Sequence, residues 1–184
     1  MDMGSKKRII SGFPPVVGEC PRVLILGSIP GERSLVLKQY YGHPQNSFWQ
    51  IMGKLCGAAP ELPYEKRTDV LKKSGIALWD VLKHCERIGS GDSNILRESE
   101  IPNAVADLLI QHPTIRAVAL NGGKAQQAFR HHILPMLPET ILQRLTLIGL
   151  PSTSPACAMI SCAEKLKQWR KIKRFLGEKR APKR

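Results

Sequence analysis

The sequence predicts a three-layer α/β/α sandwich built on a central, mostly parallel four-stranded sheet, and three observations predict it. Four short runs rich in Val, Ile and Leu recur along the chain, each lacks the polar alternation of a half-exposed strand, and stretches of helical spacing separate them. Strands apolar on both faces need cover on both faces, and strands separated by helices cross over to lie parallel. The 184 residues, 42% of them hydrophobic, suffice to bury a core without metal or disulfide staples. One domain over residues 1–184 is expected, ending in a basic tail at 177–184.

The strands are placed at residues 22–27, 76–82, 115–121 and 145–150. Helical stretches at 47–56 and 65–74 fill the first gap, 101–111 the second and 124–133 the third. The chain closes on an amphipathic segment, 158–176, in which Ile160, Ala163, Leu166, Trp169, Ile172 or Lys173, and Leu176 recur at helical spacing. Gly177 supplies its stop.

A formal charge of +13 and a pI near 9.9 make nucleic acid the leading class of ligand, because a polyanion offsets self-repulsion of this size. Part of the excess lies in residues 165–184, where ten Lys or Arg face only Glu178, so a solvated basic tail accounts for some of it. Five cysteines, Cys20, Cys56, Cys85, Cys157 and Cys162, form no CxxC pair and read as reduced thiols, with no metal and no other cofactor expected. No apolar run approaches the roughly 20 residues that cross a bilayer, and residues 1–10 lack a secretory core. The expectation is therefore no membrane, an intracellular, cytoplasmic location (nucleoid-associated in a bacterium), and a monomer.

Ligand sites in such sheets gather at the carboxyl ends of the strands. After the first strand comes Gly27-Ser28-Ile29-Pro30-Gly31-Glu32-Arg33-Ser34, then Tyr41-Gly42-His43-Pro44-Gln45-Asn46-Ser47-Phe48-Trp49; after the last comes Pro151-Ser152-Thr153-Ser154-Pro155-Ala156. Gly, Pro and small hydroxyl residues let backbone amides approach a phosphate or a base edge. The first turn has neither the GxGxxG spacing of a dinucleotide fold nor the GK[ST] of a P-loop, which sets both classes aside.

Together these three stretches resemble the paired active-site motifs of the uracil-DNA glycosylase superfamily. In its mismatch-specific uracil/thymine branch the first motif reads Gly-x-Asn-Pro-Gly, the Asn positioning the hydrolytic water; here that place is held by Ile29. The departure resembles the hypoxanthine-DNA (deoxyinosine) glycosylase branch, which uses an Asn of the downstream motif, Asn46 in this sequence. The resemblance implies that Tyr41 stacks on a flipped base, with Ser28, Ile29, Phe48 and Asp92 around it. Asp92 belongs to Arg87-Ile88-Gly89-Ser90-Gly91-Asp92-Ser93, another stretch similar to that branch. It further implies that Ser152, Thr153 and Ser154 pinch DNA phosphates, that Pro155 and Ala156 stand where a wedge fills the vacated stack, and that Gly31, Ser34 and His43 face the DNA.

Each residue also has a local alternative. Asn46 suits the cap of the helix beginning at 47, Tyr41 and Phe48 suit packing, His43 a structural contact, Asp92 an Asx turn, and the 151–156 stretch an ordinary Pro-rich turn. Lys124, after Asn121-Gly122-Gly123, suits a phosphate at a helix start. An amide is chemically sufficient, since glycosidic cleavage that leaves charge on the base requires an oriented water more than a strong base. The function implied is hydrolytic removal of a deaminated base, hypoxanthine first and uracil second, from DNA. A mismatch-specific uracil/thymine glycosylase, a non-catalytic nucleic-acid-binding protein of the same fold and a small-molecule nucleotide hydrolase are the alternatives.

Overall fold

A computed structural model describes residues 7–89 and 91–177. Ser90 and the tail beyond Gly177, where the basic segment was expected, lie outside the described residues. The chain runs β1 (Lys7–Ser11), β2 (Val23–Gly27), α1 (Glu32–Leu37), α2 (Phe48–Cys56), α3 (Tyr64–Lys73), β3 (Ile76–Asp80) and β4 (Leu82–Ile88). It continues through β5 (Ile101–Pro102), α4 (Val105–Gln111), β6 (Ala117–Asn121), α5 (Gly123–Ala128), α6 (Glu139–Leu142), β7 (Thr146–Leu150), α7 (Cys162–Trp169) and α8 (Lys173–Leu176). The central sheet is four-stranded and wholly parallel in the order β3-β2-β6-β7.

Alternate residues of these strands feed two cores. Val23, Ile25, Ile76, Leu78, Ala117, Ala119 and Ile148 face α2, α3 and α7, where Phe48, Met52, Leu71 and Trp169 meet them. Leu24, Leu26, Ala77, Val118 and Leu120 face the other way, onto Val105, Leu109, Ala128 and Phe129. The double-sided cover that the apolar runs imply thus holds at β2 and β6, and relaxes at the edge strand β7, where Leu147 and Gly149 are exposed.

The structure departs from the sequence reading in four places. The run at 76–82 is not one strand: the chain breaks at Val81, and β4 enters a second, antiparallel sheet ordered β1-β4-β5. That sheet goes unannounced because Leu82-Lys83-His84-Cys85-Glu86-Arg87-Ile88 looks charged, and its inward and outward alternation is regular only from His84 on, after a register shift between Leu82 and His84. The helix expected from 101 begins only at Val105, since Ile101 and Pro102 pair with β4. The stretch 124–133 is helical but changes to a π-helical turn at Phe129–Ile133. Finally, residues 158–161 form loop, and α7 starts at Cys162 with Ser161 as cap, its hydroxyl accepting the Glu164 N–H at 3.2 Å. Gly177 does end the last helix, at φ 72°.

Candidate base-excision site

At the end of β3 the chain wraps around the end of β2: the Val81 and Leu82 N–H groups donate to the Gly27 and Ser28 carbonyls at 2.9 and 3.0 Å. Gly27 lies opposite Asp80 in register. A side chain at 27 has no room, since a Cβ there would stand 2.4 Å from Asp80 Oδ1 and 3.0 Å from the Tyr41 hydroxyl. Beyond Gly27, the Ser28 hydroxyl donates to Asp92 Oδ2 at 2.6 Å. The buried Arg87 guanidinium donates to the Pro30 carbonyl at 3.1 Å and the Gly89 carbonyl at 3.2 Å, tying the Asp92 turn to the β2 turn.

Tyr41 is held in the left-handed region at φ 54°, an uncommon conformation for a bulky residue. The following N–H, of Gly42, donates to the buried Ser34 hydroxyl at 3.0 Å. The Tyr41 ring stacks on Phe48 at 3.9 Å and 23°, and Phe48 is itself fully buried against Trp49 and Trp169. Its hydroxyl end points inward toward Asp80 and Asn121.

The last motif is braced from below. Asn121, closing β6, exchanges two 3.0 Å hydrogen bonds with Thr153: its Nδ2 donates to Oγ1 and its Oδ1 accepts the Thr153 N–H. The Thr153 carbonyl accepts the Ser47 N–H and hydroxyl at 3.0 and 3.2 Å, which joins the Asn46 segment to the loop after β7. Gly122, at φ 92°, admits the loop closely, because a Cβ there would lie 2.8 Å from Ser152 Cβ. The Trp169 indole donates to the Pro151 carbonyl at 3.1 Å and the buried Lys165 ammonium to the Ser154 carbonyl at 3.5 Å, so α7 carries the loop.

These strand ends therefore bring together an aromatic platform, an amide and a small-residue loop backed by a cation. The profile of the uracil DNA glycosylase superfamily matches residues 14–173. The chain belongs to the uracil DNA glycosylase superfamily. It is 42% identical over 115 residues to a protein of Methanosarcina barkeri named hypoxanthine DNA glycosylase, and 43% identical over 115 residues to one of Methanosarcina acetivorans with the same name; each alignment covers 62% of this chain and 72% of the relative. The fold is similar to the solution NMR structure of a Methanosarcina acetivorans protein described as a uracil DNA glycosylase. The TM-score is 0.75 at 34% identity, over 92% of this chain and 99% of that one.

Within this superfamily member the residues singled out in the sequence divide by how they are used. Tyr41, Asn46, Ser28, Asp92, Ser152 and Ser154 lie along the strand ends. Asn46 is half-buried, and its side-chain carbonyl accepts the Phe48 N–H at 3.0 Å in an Asx-type turn one residue ahead of the helix cap, Ser47. One lone pair of that oxygen remains. Asp92 is likewise turned to account locally, its turn closed by the Asn94 N–H donating to the Gly91 carbonyl at 3.1 Å, while its carboxylate takes the Ser28 hydroxyl. The hydroxyls of Ser152 and Ser154 accept the N–H groups of Ser154 and Ala156, both at 3.2 Å, in two successive tight turns that leave Pro155 and Ala156 exposed at the tip. Gly31 is open to solvent, and His43 uses Nδ1 to accept the Gln45 N–H at 3.2 Å.

Five side chains stand elsewhere than a ligand contact requires. Ile29 is 6% exposed and packs in the core with Leu26 and Leu82, so it offers a base only its backbone. Phe48 backs Tyr41 and has no free face. The hydroxyls of Ser34 and Thr153 are buried and committed to Gly42 and Asn121, which makes these residues braces and not phosphate contacts. Lys124 pairs with the buried Glu100, which also meets His132 Nε2 at 2.7 Å. Burial pushes Glu100 up, but the contacts with Lys124 and His132 outweigh it and hold the carboxyl below its usual range.

Sequence reasoning missed Asp80, although it closes an apolar run at a strand's carboxyl end, where position alone marks it. Its carboxyl is buried, and burial, followed by the nearby Asp92, pushes it up to about 8. Burial and Asp80 likewise raise Tyr41 well above the usual phenol range. Among the described residues, no cluster of His, Cys, Asp and Glu is set to hold a metal, and no helix is long and apolar enough to cross a membrane.

Proposed function

We propose that this glycosylase removes hypoxanthine from deoxyinosine in DNA. The observation that carries the reading is the Tyr41 ring, held at φ 54° and stacked on Phe48, whose N–H meets the Asn46 amide while Ser47 is tied to the Thr153 carbonyl of the 152–156 loop. The substrate named for both Methanosarcina relatives supports hypoxanthine as the base.

A base inside a duplex is out of reach, so the nucleotide must be extruded and stacked on a planar platform. Tyr41 provides the platform, and its strained backbone fixes the ring before the base arrives. Ser152 and Ser154 grip the flanking phosphates by donating their hydroxyl hydrogens, the oxygens already accepting the turn amides, with Lys165 adding positive charge from beneath, while Pro155 and Ala156 enter the space that the base leaves. The C1′–N9 bond then breaks, its electron pair departing with the base. A water oxygen bonds to C1′ and its proton ends on the released purine, leaving an abasic site. Asn46 orients that water through the lone pair that the Phe48 N–H leaves open. The Asx-turn bond is part of this role, since it fixes the amide in one rotamer.

Single-turnover assays on a duplex carrying one inosine test the reading. Wild type releases hypoxanthine, and Asn46→Ala is expected to slow release by about 100-fold or more while the abasic product binds as before. A wild-type rate in Asn46→Ala removes the amide from the mechanism; a wild type that binds DNA and releases no base removes the function.

A further inference from the structure

One concentration of positive charge lies outside the site described above. Beside the loop after β7 is an open pocket of about 470 Å³ lined by Arg97, Gly123, Gln126, Gln127, Arg130 and His131. It begins at the rim itself: Gly123 follows the glycine that abuts Ser152, and a Cβ on Gly149 of β7 would stand 2.8 Å from Gln126 Oε1. Among the described residues no carboxylate lines this pocket, and neither Arg97 nor Arg130 forms an ion pair.

Three segments converge on the pocket, and contacts beneath it hold them there. The buried carboxylate of Glu100 pairs with Lys124 of α5 and meets His132 Nε2 at 2.7 Å, which ties the chain entering β5 to α5 and to the π-helical turn. Within that turn Phe129 and Ile133 are buried, so the residues between them face outward: His132 meets Glu100, while Arg130 and His131 line the pocket. Arg97 stands on the turn Arg97–Ser99, which Ser99 fastens by donating its hydroxyl to the Leu96 carbonyl at 2.6 Å and accepting the Glu86 N–H at 2.7 Å. Arg97 Nη2 donates to His131 Nδ1 at 3.5 Å, so the neutral imidazole carries its proton on Nε2 and is itself a donor. Two guanidiniums held in one pocket without a counter-charge repel each other, and a polyanion relieves that repulsion.

Resting on DNA as the substrate, we infer that this pocket holds backbone phosphates of the duplex on one side of the lesion, beyond the nucleotide that the site extrudes. The helix of α5 and its extension climbs about 1.5 Å per residue, which puts Arg130 roughly 10 Å along the axis from Gly123. Each strand of a duplex advances about 3.4 Å per base pair, so a strand gripped at Ser152 that follows this helix reaches Arg97 and Arg130 about three base pairs further on. A guanidinium presents a planar fork that matches a phosphate's oxygens, and contacts of this kind add affinity and set register without reading a base.

Arg97→Ala, Arg130→Ala and the double variant should be measured for binding to a duplex carrying a stable abasic-site analogue, over a series of salt concentrations. Lys66→Ala, which removes an exposed charge from α3 on the opposite face of the sheet, is the control for net charge. Each single pocket variant is expected to bind about threefold or more weakly at about 0.1 M salt and to flatten the slope of log K against log salt by about 0.9, the double variant by roughly 1.8. Arg130→Lys, which keeps the charge, should retain most of the slope. The deficit should vanish on duplexes cut back to about two base pairs from the lesion on one side and persist on those cut back on the other. Slopes that match Lys66→Ala, or a deficit that persists whichever side is shortened, overturn the inference and leave the glycosylase reading intact. A wild type with no affinity for the abasic duplex overturns both.

Discussion

Asn121 and Asp80 close two strands of one sheet at the same level, yet their surroundings are opposite. The Asn121 amide is paired on both its oxygen and its nitrogen with Thr153, and Thr153 passes the connection on to Ser47. The Asp80 carboxyl has one oxygen with no partner, beside a Tyr41 hydroxyl in the same condition. A polar group removed from water costs free energy unless it is paired, so the closed cluster reads as scaffold. The open one has no such closure: one half of the rim holds the loops in place, and the other half keeps two buried polar atoms unpaired.

Breaking the closed half should have the largest effect on folding. Asn121→Ala strips partners from the Thr153 N–H and Oγ1, both buried, and is expected to cost about 2–3 kcal/mol, a fall of roughly 4–12 °C in Tm for a chain of this size. Base release should fall with it, because the Ser47–Thr153 link is what brings Asn46 to the loop. Thermal unfolding followed by circular dichroism checks the first part, and an unchanged Tm would show that Ser47, Trp169 and Lys165 hold the loop without Asn121.

The uneven legibility of the molecule follows the same division. The strands of the parallel sheet are plain in the sequence because a strand buried on both faces must be apolar throughout, as Val23-Leu24-Ile25-Leu26 and Ala117-Val118-Ala119-Leu120 are. The antiparallel sheet is hidden because β4 buries only Leu82, Cys85 and Arg87, a spacing broken by a register shift and a charge that conceal the pattern. Around the candidate site, the stretches that hold Tyr41, Asn46 and residues 152–156 are legible as motifs with fixed spacing. Ser34 and Thr153 are misassigned there, since a hydroxyl that grips phosphate and one that braces a turn are the same residue in a string of letters; only burial separates them. Asp80 escapes for the converse reason: one carboxyl after Trp79 belongs to no motif, and its unusual state arises from burial and from Asp92, twelve positions further along the chain.

Asp80→Asn sharpens the open half through stability. The folded pKa of Asp80 is raised from 3.8 to about 8, so its proton is bound more tightly in the native than in the unfolded chain. The contribution is fully present below pH 3.8 and is lost as pH rises through about 8. Wild type should therefore lose stability relative to Asp80→Asn as pH rises across that window, seen as a Tm that declines toward pH 9 in wild type and not in the variant. Parallel stability profiles from pH 5 to 9 would mean that Asp80 is already ionised in the native state, and the distinction between the two halves would then lie in geometry alone.

The smallest effect is expected at Ser34, which belongs to the scaffold but touches the open half through Tyr41. Ser34→Ala removes the acceptor of the Gly42 N–H and should cost about 1 kcal/mol, or roughly 2–4 °C in Tm. Its value lies in what happens to Tyr41. If this hydrogen bond holds the left-handed backbone in place, the ring is released from Phe48, and affinity for inosine DNA falls while the rate at saturating enzyme changes less. If the Tm falls by that amount and affinity does not, the stack on Phe48 holds Tyr41 without help, and the platform belongs to the aromatic core and not to the turn.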